Sequence, residues 1–170
     1  MQGTGSWVWD TPPVVTTLLG KVGATRDQFY CPANPYQNID ILWNFTPNYR
    51  VIGYALALPG NPGLPATNVN SSLIPQQFVA GGTVSPAPIA SQRVLTADAT
   101  ISSSGQNNPA NVAGYNFTSI VGGAPMPHHT SHLIDKMPAG GNLGMLDGHV
   151  EWREFSKMLP RSLGGPVFWW

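Results

Sequence analysis

The chain has 170 residues, with eight Lys and Arg balancing eight Asp and Glu, and charged side chains make up only 9% of it against about 25% in ordinary soluble domains. An apolar share of 42%, including six Trp, five Tyr and six Phe, supplies a core for a single globular domain over 1–170 and argues against intrinsic disorder. With no net positive charge and no Lys/Arg cluster to neutralise phosphates, nucleic acid is excluded as a partner, and no run of about 18 apolar residues is present to span a bilayer. Solubility rests on Asn, Gln, Ser and Thr, a weakly self-repelling surface that leaves assembly open.

In chain order, Asp10 is placed to cap a short helix that starts at Pro12-Pro13, runs through residues 14–19 and stops at Gly20. Phe29-Tyr30-Cys31-Pro32 then turns sharply at Pro32 and Pro35. Cys31 is the sole cysteine, so no internal disulfide forms, and it reads as a small buried hydrophobe. Trp43, Phe45, Tyr49, Val51 and Ile52 predict one or two strands reaching Leu58, with the aromatics used for packing. Over 59–88 Gly, Pro, Asn and Ser recur, which predicts a long loop or insertion tethered by Leu73, Ile74, Phe78 and Val79. A strand is expected within 89–100, a short helix from Glu154 toward Leu159 ended by Pro160, and burial for the terminal Val167-Phe168-Trp169-Trp170.

The best-defined local element is a hairpin over 140–152, Gly-Gly-Asn-Leu-Gly-Met-Leu-Asp-Gly-His-Val-Glu-Trp. Asp147-Gly148 between apolar segments predicts a two-residue type I′ turn. Leu143 then faces Trp152 and Met145 faces Val150, giving one apolar face whose burial contributes on the order of 6–12 kcal/mol before ordering costs. Asn142, Gly144, Asp147, Gly148 and Trp152 define this structural motif.

The segment 140–153, with Phe155 and Arg161 downstream, resembles the C-terminal signature of bacterial prepilin-like proteins carrying a processing-associated H-X9-DG domain. Residues 25–32, Trp43-Asn44-Phe45 and Gly53-Tyr54 are similar to upstream elements of that family, in the same order. Two departures stand out. The family's cleavage motif and long hydrophobic helix are absent from these residues, which therefore read as the soluble head alone, and the family spacing puts a histidine where Met137 stands, with His132 five residues upstream. The resemblance implies a pseudopilin-like α+β fold, an antiparallel sheet with limited helix and long loops. It also implies a structural or assembly role in a prepilin-like or type II secretion-related surface system, at the bacterial envelope, cell surface or outside. The precursor would be membrane-inserted before assembly, and the partner would be protein, including self-assembly through a missing N-terminal helix.

A surface ligand-binding module, metal-assisted, is the alternative. His128, His129, His132, Asp147 and His149, with Asp135 and Glu151 nearby, carry the imidazole and carboxylate donors suited to a structural divalent metal. No other cofactor is indicated. The chain has no His-Glu-x-x-His, no phosphate-cradling Gly/Lys loop, and no nucleophile with an adjacent base and orienting acid, so no catalytic residue is assigned and the chain is not expected to be an enzyme.

Overall fold

The structure, a computed structural model, describes residues 7–58, 78–80, 83–85, 89–122, 124–162 and 165–170. Strand β1 (Asp10–Thr11) leads into helix α1 (Pro13–Lys21); a single 3-10 turn (Arg26–Phe29) and the one-turn α2 (Asp40–Trp43) follow, and β2 (Arg50–Val51) returns to pair antiparallel with β1. After β3 (Tyr54–Leu56) comes a ribbon of β4 (Phe78–Ala80) and β5 (Thr83–Ser85), inside the expected loop region; Leu73 and Ile74 lie outside the described residues. The second half carries β6 (Val94–Asp98), β7 (Ile101–Ser102), β8 (Leu133–Ile134), β9 (Met137–Pro138), β10 (Gly140–Met145), β11 (Val150–Glu154) and β12 (Val167–Phe168). The result is an α+β fold whose main sheet runs β11–β10–β6–β3, antiparallel throughout.

The N-terminal helix forms, but not as its sequence suggests. Asp10 does not cap it; the residue lies in β1 and its carboxylate accepts the Trp7 N–H at 3.1 Å. Gly20 sits inside the helix, which ends after Lys21. Thr16 is its only buried residue, tied down by the Arg50 guanidinium at 2.9 Å, while Val14, Leu18 and Leu19 stay 50%, 52% and 42% exposed. A tertiary polar anchor thus outranks the apolar stripe in orienting this short helix. Between Glu154 and Pro160 only a 3-10 turn forms, at Phe155–Lys157.

The hairpin reverses at Asp147-Gly148, but its register differs from the expectation by one residue. Gly144 pairs with Val150, Leu143 with Glu151 and Asn142 with Trp152. Met145 N–H bonds His149 O and Gly148 N–H bonds Met145 O, so Leu146 joins Asp147 and Gly148 in a three-residue loop closed by a positive φ of 93° at Gly148 alone. This loop length is the usual alternative to a two-residue turn. A one-residue slip exchanges the faces of one strand relative to the other. Leu143 and Met145 are buried, whereas Val150 and Trp152 are 67% and 48% exposed, so the four-residue apolar face does not exist.

The core has two parts. Trp9, Leu42, Ile52, Ala55, Ala97, Ile101, Leu143 and Phe168 belong to the larger; Phe117, Phe155, Met158, Val167 and Trp169 form the smaller. The buried C-terminus divides itself between them by strand alternation, with Phe168 and Trp170 in the larger part and Val167 and Trp169 in the smaller. Trp169 donates its indole N–H to Ser102 Oγ at 2.8 Å, so the smaller part is pinned by a satisfied polar contact.

Candidate functional site

Three segments meet at one buried polar centre. Gly53 N–H bonds Phe29 O at 2.8 Å, which holds the 29–31 segment against the start of β3 and brings Cys31 inward. Asp98 ends β6, and its cross-strand partner is Tyr54. Ser131 N–H bonds Ala99 O at 3.3 Å, docking the histidine loop on the end of β6 so that His132 meets Asp98. His132 adopts the left-handed conformation, φ 54°, a position that costs on the order of 1 kcal/mol and is held only by its surroundings.

The distances are short. His132 Nε2 lies 2.9 Å from Asp98 Oδ2 and 3.2 Å from Cys31 Sγ, and the three atoms all fall within 4.8 Å of one another. Asp98 is 3% exposed and Cys31 3%. Asn142, from the adjacent strand β10, donates to the same Asp98 oxygen twice, through its backbone N–H at 2.7 Å and its side-chain Nδ2 at 2.9 Å. Trp152, opposite Asn142 in the observed register, packs perpendicular to the His132 ring with centroids 5.0 Å apart. The one-residue register difference is what brings this indole to the site.

Burial and the Asp98 charge push the Cys31 thiol above its ordinary pKa; backbone donors at Ala33 and Asn34 and the nearby Ser131 hydroxyl oppose them. That hydroxyl is buried without a formed hydrogen bond in this conformation. Burial, with the negative charges of Asp98 and Cys31, raises the Tyr54 phenol to about 12. Cys31 is therefore no poised nucleophile. A Cys–His–Asp relay also needs the base to face the nucleophile with one ring nitrogen and the acid with the other; here Nε2 faces both.

Of the five histidine and aspartate residues the sequence offers for metal, only His132 belongs to this centre, the sole such three-donor group among the described residues. His128 is buried, with Nε2 3.0 Å from Gly122 O and its ring 4.6 Å from Trp9, and burial lowers its pKa. His129 stacks on Tyr36 at 4.2 Å. Asp147 and His149 pair with each other on the exposed hairpin loop, Nδ1 to Oδ1 2.6 Å. Cys31 is buried as expected, but in polar company; neither it nor Asp98 is among the donors that the sequence offers for this metal. The signal for Asp98 is a carboxylate embedded in the apolar run Val94, Leu95, Ala97, Ala99, where an ionised side chain needs partners.

Ala139 N–H bonds His132 O at 2.9 Å, so 133–138, which contains the β8–β9 pair, is an excursion closed at its base. No helix among the described residues is long and apolar enough to cross a membrane. Searches of family models, curated proteins and solved structures return no match to the chain.

Proposed function

We propose that this chain is the globular head of a prepilin-like surface protein, a structural component that works by assembly with protein partners at the bacterial envelope. One observation carries the reading: the segment resembling the family signature forms the outer hairpin of the main sheet. Its strand β11 is an edge with no further strand beside it among the described residues, and Val150 and Trp152 are exposed along it. An open edge with apolar side chains is a surface that proteins normally cover or use for pairing. One upstream resembling segment meets the signature at a common point: Cys31 lies 3.2 Å from His132 Nε2, and Asn142, at the start of β10, donates to the Asp98 carboxylate that His132 also faces.

The test is photocrosslinking in the producing cell, from the gene's full reading frame, with a photoreactive residue at position 150. Adducts to a second copy or to an envelope protein, recovered from the envelope or surface fraction, support the reading. A monomer free of adducts in the soluble fraction overturns it.

A second reading, a surface ligand-binding module assisted by a metal, is favoured by the convergence of three ligand-type atoms on one point.

A further inference from the structure

We infer that Cys31 Sγ, Asp98 Oδ2 and His132 Nε2 are the protein ligands of a zinc-class divalent ion whose fourth coordination position is left to water or an exogenous ligand. The inference stands on these three side chains and holds whether or not the domain assembles.

Convergence makes the first argument. His132 Nε2 faces both Asp98 Oδ2, at 2.9 Å, and Cys31 Sγ, at 3.2 Å, so one nitrogen meets two groups. An ion between the three would let each act as an electron-pair donor.

Spacing makes the second. Tetrahedral zinc, with bonds of about 2.0–2.3 Å, separates its ligand atoms by roughly 3.3–3.6 Å. The two separations from His132 Nε2, 2.9 and 3.2 Å, fall a few tenths of an ångström short of this spacing, and all three atoms lie within 4.8 Å of one another. Thiolate, imidazole and carboxylate together select a borderline-soft ion; magnesium and calcium take all-oxygen sets. One thiolate and one carboxylate also neutralise a divalent charge, which suits a buried centre.

The surroundings make the third. Asn142 donates two N–H groups to the Asp98 carboxylate, and the Trp152 ring packs perpendicular to the imidazole, the kind of outer support that metal sites use to orient their ligands. The side chain of His132 is 21% exposed, which gives an ion a way in. Thiolate and imidazole lone pairs are the ligating forms, so protons compete with the ion and affinity falls as pH falls. The ion would staple segments 101 and 34 residues apart in sequence.

The experiment uses the full 170-residue chain, reduced and chelator-stripped, titrated with Co(II) and then Zn(II). One equivalent of Co(II) should give a near-ultraviolet thiolate charge-transfer band and intense tetrahedral visible bands, both abolished by Zn(II). Cys31→Ser should lose the charge-transfer band, and His132→Ala should weaken Co(II) binding at least tenfold. Asn142→Ala should keep the band while affinity drops about 10–100-fold. His149→Ala should behave as the parent. A parent chain without the thiolate band overturns the inference whatever the variants do, as does binding that survives Cys31→Ser but is lost in His149→Ala.

Discussion

Replacing Asp98 by Asn tests the polar centre in its metal-free state, since it conserves shape and removes the charge. The Oδ2 atom receives two amide N–H groups from Asn142 and a third donor when His132 Nε2 carries its proton, at 2.7–2.9 Å. A hydrogen bond to a charged group contributes about 1.5–3 kcal/mol and a neutral one about 0.5–1.5 kcal/mol, a difference near 1 kcal/mol for each of the three. Easier desolvation of the amide offsets part of this, leaving a loss of about 2–3 kcal/mol. For a domain of this length that corresponds to a fall in Tm of roughly 4–12 °C. Urea unfolding in chelator should show a lower midpoint with an unchanged slope. Asp98→Ala should cost more, because it removes the shared acceptor altogether and leaves a void at a position only 3% exposed. Stability of Asp98→Asn within about 0.5 kcal/mol of the parent would refute the reasoning, since surface changes commonly stay inside that range.

Four further outcomes are expected. Burial raises the Asp10 carboxyl from 3.8 to about 6, so the folded state prefers the proton; stability is greatest below pH 4 on this account and falls as pH rises through about 6. Asp10→Asn should flatten that fall and raise Tm at pH 7.5. His128 acts with the opposite sign: burial depresses its pKa from 6.5, so stability is lost as pH drops below that value, and His128→Gln should remove this loss in the same thermal scans. Gly148→Ala meets no atom within 4 Å, so its cost of about 1–2 kcal/mol is purely that of the positive φ, and amide exchange over 140–154 should quicken. Ser102→Ala leaves the buried Trp169 indole N–H unpaired and should cost about 1–3 kcal/mol in urea unfolding.

The parts of the fold that are legible in the sequence are those decided by neighbours along the chain. The reversal at Asp147-Gly148, the strand at Val94–Asp98 and the burial of the final four residues follow from turn chemistry and alternation. The hairpin register does not, because whether Leu146 counts as strand or loop is settled by pairing with β6, where the ladder shifts between Gly144 and Met145. The candidate site is legible least. His132 stands out as a donor, yet its partners come from the Cys-Pro turn and from a strand end, brought together by backbone bonds such as Ser131 to Ala99 that no local pattern announces. The donors closest to one another along the chain, His128 with His129 and Asp147 with His149, turn to packing, stacking and the hairpin loop instead.

The most direct measurement is a crystal structure of the zinc-replete chain with an anomalous difference map at the zinc edge. One peak should lie among Cys31 Sγ, Asp98 Oδ2 and His132 Nε2, with bonds of about 2.3 Å to sulfur and 2.0–2.2 Å to nitrogen and oxygen. A map without a peak there, or with the three side chains turned away from one another, would contradict the account.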